Sequence, residues 1–182
     1  LEPDLLAKVE HRYATTPRAR CDELLHMLTR GLPGGPGYYE SGEFHALLAA
    51  YQTLGTEVYR RNLIDFLGAV ARTCEEEGAV FAIHPDDPPI PLCGLPRIAS
   101  TFADFGKIFE AVSSPSAGMI FCSGSLGSRH DNVFADFVTA FGPRIFYAHP
   151  RRIRFRDDLG SFTEAEHLGG DGAFDLRDVI QL

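Results

Sequence analysis

The chain has 182 residues, with 17 Lys and Arg against 25 Asp and Glu, so its formal net charge is −8. That acidic balance excludes an extended basic face of the kind that binds nucleic acid or an anionic membrane, so we expect neither as a partner. Hydrophobic residues make up 45% of the chain, enough for a packed core, and no apolar run approaches the roughly 18 residues of a membrane span.

The N-terminal part of the chain predicts helices and irregular structure. Apolar residues recur at helical spacing in two short stretches, residues 5–9 and 24–28. A run of Gly and Pro over residues 31–37 interrupts this pattern, because neither a helix nor a central strand tolerates that density of both residues. We interpret residues 1–60 as a helical or irregular insertion region within a single domain that spans residues 1–182.

From residue 61 onward, helices alternate with apolar strands. A helix predicted over residues 61–77 ends at Gly78. A second helix begins with the capping-box pair Thr101 and Asp104, and a third covers about residues 133–141. Buried strands are predicted at residues 79–83, 118–122 and 144–149. This alternation is typical of parallel βαβ units covered on both faces, so we assign residues 61–182 to the βα units of an α/β fold.

A residue type that binds metals stands at the end of each predicted strand. The first strand ends at His84, the second at Cys122 and the third at His149. Because ligands bind at the carboxyl ends of parallel strands, these three side chains would converge on one spot. Taken singly, such a His is more often a structural hydrogen-bonding residue and such a Cys a small hydrophobe. Together they favour a site for a divalent cation such as Fe, Mn, Co or Zn, among which the spacing does not select.

The loops after these strands carry prolines, carboxylates and small residues. His84 opens a proline-rich loop with two Asp residues, and Cys122 opens a Gly/Ser loop that would allow close approach of a ligand. Arg151 lies two residues past His149, so on an extended strand it points to the same side and could clamp a substrate carboxylate. The alternative is that Arg151 and the three arginines after it form a solvated charged edge.

These loops resemble those of one enzyme family. The sequences His-Pro-Asp-Asp-Pro-Pro at 84–89, Gly-Leu-Pro-Arg at 94–97, Cys-Ser-Gly-Ser-Leu-Gly at 122–127 and Phe-Thr-Glu-Ala-Glu-His-Leu-Gly-Gly-Asp at 162–171 resemble those of mannonate dehydratases. The resemblance implies a TIM-type (β/α)8 barrel of the xylose-isomerase-like kind, of which this chain supplies only part, about three parallel strands plus helices. It also implies a hydro-lyase of glucuronate catabolism that depends on Mn or Fe and dehydrates D-mannonate to 2-keto-3-deoxy-D-gluconate.

The resemblance further implies roles for individual residues. The residues that match three of the family's metal ligands are His84, Cys122 and His149. The residues expected to bind the sugar acid are Arg151, Ser123 and His167. In such a site the metal and an arginine hold the acid, a base removes the C2 proton, and an acid protonates the departing 3-hydroxyl. No base or acid is assigned in this chain, because the family's Arg-Pro-Asp-His-Gly sequence does not occur before Leu182.

Departures from the family pattern keep other functions open. Pro-Arg-Arg at residues 150–152 stands where the family has Leu-Arg-Asn, and Thr163 replaces a histidine. The strands that open and close the family's barrel are also missing from this sequence. The alternatives are a catalytically incomplete partial barrel that binds a sugar acid or a partner, and a related metal-dependent sugar isomerase or epimerase.

Two expectations concern the protein's surroundings. Three parallel strands leave two sheet edges with unpaired backbone groups, so we expect a homo-oligomer if these strands are all that the sheet has, and pairing with further strands if the chain is a fragment. The four cysteines are far apart and no targeting segment is recognisable, so we expect a reduced, cytoplasmic protein. Because the first residue is Leu, we also expect the chain to begin within a longer reading frame.

Overall fold

A computed structural model describes residues 3–29, 39–156 and 160–182, and the chain divides into two compact units, Leu1–Thr53 and Leu54–Leu182. The first unit contains three helices: α1 (Pro3–Thr15), α2 (Arg18–Thr29) and α3 (Ser41–Gln52). Helices were predicted in this region, and the Gly/Pro run predicted to interrupt them lies outside the described residues. The interpretation of the whole chain as one partial-barrel domain stays a prediction.

The second unit begins with the long helix α4 (Gly55–Glu77), which starts before the predicted residue 61. Its buried residues Leu67 and Ala71 are four apart, so they lie on one face of the helix and pack into the core. Gly78 ends the helix as predicted, because its φ of 65° is a left-handed conformation that favours glycine. Among the helices that the structure describes, none is both long enough and apolar enough to cross a membrane.

A three-stranded parallel sheet forms the centre of this unit, in the order β1 (Phe81–Ile83), β2 (Ala117–Cys122) and β3 (Ile145–His149). Helix α5 (Phe102–Ala111) connects the first two strands, and the short α6 (Ser123–Leu126) and α7 (Phe134–Phe141) lie between the second and third. The predicted α/β class with parallel strands is confirmed. Since both strand pairs are parallel, the carboxyl ends of all three strands meet at one edge of the sheet.

Helices α5 and α7 pack against one another through phenylalanine rings. Phe105 and Phe137 are fully buried, with ring centroids 6.1 Å apart in an edge-to-face arrangement, and Phe102 stacks on Phe141 at 5.0 Å. Such pairs add about 0.5–1.5 kcal/mol each beyond the burial of their area. Met119 on the central strand is also fully buried. This core fixes the strands whose ends carry the candidate site.

The predicted capping box holds the start of α5. The Thr101 hydroxyl accepts a hydrogen bond from the backbone N–H of Asp104 at 3.1 Å, and the Asp104 carboxylate accepts one from the backbone N–H of Thr101 at 3.1 Å. Arg60 of α4 adds an ion pair to the same carboxylate at 3.0 Å. Burial works against the charge of Asp104, but the hydrogen bonds from Thr101 and Arg60 outweigh it, so the pKa of Asp104 is lowered.

The chain after β3 forms an antiparallel pair, β4 (Ile153–Phe155) and β5 (Phe162–Glu164), and a short helix α8 (Leu176–Ile180), none of which was predicted. Arg152 holds this segment together by hydrogen bonds to its backbone. It is only 5% exposed, and its guanidinium donates to the backbone carbonyls of Glu166, Gly169 and Phe174. The alternative of a solvated charged edge is therefore wrong for Arg152, because its charge is satisfied by carbonyls rather than by water.

Candidate metal centre

Three of the predicted site residues converge at the carboxyl edge of the parallel sheet. His84 follows β1 directly, Cys122 ends β2 and His149 ends β3. One nitrogen of each histidine and the Cys122 sulfur all lie within 4.8 Å of one another. The imidazole centroids of the two histidines are 5.9 Å apart. The alternation of strands and helices thus brings these three side chains, called the ligand trio below, to one point.

A backbone hydrogen bond selects the tautomer of His84. Its Nδ1 lies 2.7 Å from the carbonyl oxygen of Pro85. Because a carbonyl oxygen only accepts, Nδ1 must carry the ring proton, which leaves the lone pair of Nε2 available. Histidines that bind metals are typically held in this way, with the other ring N–H donating to a carbonyl or a carboxylate.

The sulfur of Cys122 is fully buried and accepts hydrogen bonds from Ser125. The backbone N–H and the hydroxyl of Ser125 lie 3.5 Å and 3.3 Å from Sγ. They reach it because the residues after Cys122 form the turn of helix α6, not the Gly/Ser loop that was predicted. Donors at a sulfur suit a thiolate, the form in which cysteine binds a metal.

Arg151 lies at the margin of the ligand trio. Its Nη1 is 2.6 Å from Asp87 and 3.6 Å from Glu164, and its Nη2 donates to the Ser125 hydroxyl at 3.4 Å. Burial would by itself lower the pKa of Arg151, but the hydrogen bond and charge of Asp87, with smaller contributions from Cys122 and Glu164, raise it. The site therefore has a permanent positive charge beside its sulfur.

Two residues of α6 hold Arg151 in place. A Cβ at Gly124 would overlap the Arg151 Nε and lie 2.9 Å from Cζ, so only glycine leaves room for the guanidinium. The Ser123 hydroxyl donates to the Arg151 carbonyl at 2.7 Å and accepts from the Arg151 N–H at 2.9 Å. The close approach expected at this loop for a ligand is thus made by the chain's own arginine.

The three predicted substrate-binding residues occupy different positions. Arg151 borders the ligand trio, whereas Ser123 is fully buried with its hydroxyl on the Arg151 backbone. His167 is exposed in the segment after β5, and within the described residues the cluster of metal-binding side chains does not include it. Their contacts with a substrate stay predictions.

The two carboxylates of the proline-rich loop have separate tasks. Asp86 accepts hydrogen bonds from the backbone N–H of Ala99 at 2.8 Å and from the Ser100 hydroxyl at 2.9 Å, so it fixes the course of its own loop. Asp87 faces the site through its ion pair with Arg151.

The sequence did not single out Ser125 as a residue of the site. Its position three residues after Cys122 was the available signal, because a turn of helix brings such residues together.

The chemistry of the ligand trio fits a divalent metal of the first transition series. Imidazole nitrogen and thiolate sulfur are ligands of borderline to soft character, which such ions accept. Three protein ligands also leave coordination positions for water or substrate, as catalytic metal sites require. The hydrogen bond from His84 Nδ1–H to the Pro85 carbonyl and the hydrogen bonds at Cys122 are the orienting contacts expected around such a site.

The chain is similar to known proteins over nearly its whole length. The profile of the family described as D-mannonate dehydratase (UxuA) matches residues 9–182. The mannonate dehydratase of Saccharophagus degradans is 39% identical over 168 residues, which are 92% of this chain and 42% of that protein. Mannonate dehydratase 2 of Agrobacterium fabrum is 38% identical over 180 residues, 99% of this chain and 45% of that protein. The chain thus spans less than half the length of these relatives.

The chain is also similar to a mannonate dehydratase whose structure has been solved. The crystal structure of mannonate dehydratase from Streptococcus suis serotype 2 superposes with a TM-score of 0.68 at 31% sequence identity. The superposition covers 75% of this chain and 40% of that one. The similarity to this structure therefore holds in three dimensions as well as in sequence.

Proposed function

The chain belongs to the mannonate dehydratase family, and from this membership we propose that it forms the metal-binding part of a hydro-lyase that converts D-mannonate to 2-keto-3-deoxy-D-gluconate. The family and the parallel sheet also confirm the predicted fold class, a part of a TIM-type barrel. The observation that carries the functional proposal is the ligand trio, whose metal-binding atoms lie within 4.8 Å of one another at the strand ends.

In this proposal a divalent Mn or Fe ion is held by His84, Cys122 and His149. When bound, the ion supplies Lewis-acid polarisation of the oxygens of the sugar acid. The Nδ1–H of His84 stays on the Pro85 carbonyl, so the ring presents its other nitrogen without a tautomer change. The Ser125 hydroxyl and N–H stabilise negative charge on the Cys122 sulfur.

Arg151 is proposed to bind the carboxylate of the sugar acid. Its Nε–H is buried against Gly124 and has no hydrogen-bond partner among the described residues, so binding of a carboxylate relies on Nη1 and Nη2. A guanidinium also presents paired donors that match the two oxygens of a carboxylate. Asp87 and Ser123 keep it in place through its side chain and its backbone. We retain His167 as the third substrate contact.

The assay for this proposal is formation of the 2-keto product from D-mannonate with Mn or Fe. We expect Cys122→Ala to lose bound metal and turnover together. Cys74→Ala is the matched control, since it removes a thiol that lies in α4 outside the ligand trio and should retain both. A protein that binds metal through the trio but forms no product would contradict the activity. A Cys122→Ala variant with full metal content would contradict the site.

We also propose that the chain forms a homo-oligomer. Within the described residues, β1 and β3 each have a single neighbouring strand, so each leaves an edge of backbone N–H and C=O groups. Val80 next to one edge and Tyr147 on the other strand are 60% and 59% exposed. Where no further strand of the same polypeptide pairs with these edges, a second copy that covers them would satisfy their backbone groups and bury the exposed side chains. Light scattering that shows a monomer mass independent of concentration would refute this.

The setting that fits these proposals is glucuronate catabolism in the cytoplasm. All four cysteines are present as thiols, which agrees with a reducing compartment. A thiolate ligand such as Cys122 also requires that the sulfur escape oxidation. Localisation of a tagged full-length protein to the cytoplasmic fraction would test this, and recovery from an oxidising compartment would contradict it.

A further inference from the structure

We propose that Ser125 is a positioning residue of the metal centre, whose hydroxyl, oriented by Arg151, sets the electron-donor strength of the Cys122 sulfur. The inference rests on the proposed metal site and adds a residue to it. It concerns neither metal ligation nor substrate contact by Ser125 itself. Its basis is a chain of hydrogen bonds in which each donor is fixed by chemistry.

The hydrogen bonds between Arg151, Ser125 and Cys122 run in one direction. The Ser125 oxygen lies 3.4 Å from Arg151 Nη2 and 3.3 Å from Cys122 Sγ. A guanidinium can only donate, so it occupies a lone pair of the hydroxyl and leaves the hydroxyl proton for the sulfur. Ser125 and Cys122 are both fully buried, so water does not compete for that proton.

Arg151, the first donor in this series of hydrogen bonds, is held by three other residues. Arg151 is paired with Asp87 at 2.6 Å, and its backbone N–H and C=O both bond to Ser123. Gly124 supplies the space that the guanidinium occupies. The Ser125 hydroxyl is therefore directed by a charge that cannot swing away without losing these contacts.

The direction of the last hydrogen bond has an electronic consequence. A thiolate that accepts a hydrogen bond gives less electron density to a bound metal, and such bonds tune metal–sulfur centres. Removing the hydroxyl raises the energy of the sulfur lone pairs. The sulfur-to-metal charge-transfer transition then moves to longer wavelength, a change that a purely structural serine would not produce.

Co²⁺ is a suitable probe because its thiolate complexes absorb through sulfur-to-metal charge transfer. The absorption spectrum and Co²⁺ affinity would be measured for the wild-type chain and for Ser125→Ala. We expect a red shift of the band in the variant, because the sulfur becomes the stronger donor. We also expect an affinity about 10- to 100-fold weaker, because the sulfur loses a contact that orients it toward the metal. Ser125→Thr keeps the hydroxyl and should restore the wild-type band.

The control is Ser128→Ala, which removes another buried serine of the same segment. The Ser128 hydroxyl donates to the Ser125 carbonyl at 2.8 Å, so its loss should leave the band in place. Circular dichroism would establish that each variant is folded. Should Ser125→Ala fail to fold, Arg151→Met tests the same series of hydrogen bonds by removing its first donor. We expect a red shift smaller than the one predicted for Ser125→Ala.

The outcomes separate this inference from the proposal on which it rests. A wild-type chain without a sulfur-to-cobalt band would overturn the metal site itself. A wild-type band that does not move in either Ser125→Ala or Arg151→Met would overturn only the role of Ser125. An equal shift in Ser128→Ala would also count against that role, because it would reflect a general disturbance of the turn.

Discussion

Replacing Gly124 by alanine is expected to drive the Arg151 guanidinium out of the metal centre. The new Cβ would overlap Arg151 Nε and lie 2.9 Å from its Cζ and 3.0 Å from its Cβ. Since the Arg151 Cβ is attached to the backbone, rotation of the side chain cannot relieve the whole contact. Gly124 is not among the glycines with positive φ, so the cost arises from this steric conflict.

The size of the effect follows from two contributions. Forcing an extra carbon into a packed site costs about 1–3 kcal/mol. Displacing the guanidinium also breaks the 2.6 Å ion pair between Arg151 and Asp87, whose side chains are 16% and 29% exposed. A partly buried ion pair of this kind contributes about 1 kcal/mol. We therefore expect the free energy of unfolding to fall by about 2–4 kcal/mol.

Urea denaturation followed by circular dichroism would measure this change. Gly106→Ala in α5 is the matched control, because no atom lies within 4 Å of its new Cβ, and it should stabilise the helix by about 0.5–1 kcal/mol. In an Arg151→Ala background the Gly124→Ala exchange should cost at least about 1 kcal/mol less, since the obstructing side chain is gone. An equal cost in both backgrounds would refute the reasoning.

Three further predictions concern stability. The pKa of Asp104 lies below its ordinary 3.8, so its ion pair stabilises the fold fully above pH 3.8 and stops doing so as the pH falls through the lower folded value. When the free energy of unfolding is measured at decreasing pH, it should therefore decline less steeply for Asp104→Asn than for the wild type. Arg152→Met should lower the free energy of unfolding, measured by urea denaturation, by about 2–5 kcal/mol, because three partly buried carbonyls lose their donor. A loss below about 1 kcal/mol, the size expected at the surface, would contradict this. Gly78→Ala should cost about 1 kcal/mol by the same measurement, because φ is 65° there, and an unchanged midpoint would contradict it.

Local sequence chemistry was sufficient for most of the regular structure. The capping box of Thr101 and Asp104 and the helix stop at Gly78 formed as predicted, because each depends on residues within one or two turns. The strand positions followed from continuous apolar runs, and the convergence of the ligand trio followed from them. Parallel strands bring their carboxyl ends to one edge whatever the details of packing.

Other features depend on parts of the chain that are distant in sequence. The β4–β5 pair was not predicted, because three-residue strands carry little periodicity and form only where a neighbour completes their hydrogen bonds. The sequence alone is equally compatible with an exposed and with a buried Arg152. Its burial became evident only when the carbonyls of the segment that follows β5 closed around its guanidinium.

The sequence by itself determined the type of fold and the three residues that face one another at the sheet edge, since periodicity and strand direction are encoded locally. Only the tertiary structure decided how Arg151 is used. Ser125 and Arg151 are 26 positions apart, and their contact exists because β3 returns the chain to the turn after β2. Hydrogen-bond partners of this kind are set by packing, which no local pattern specifies.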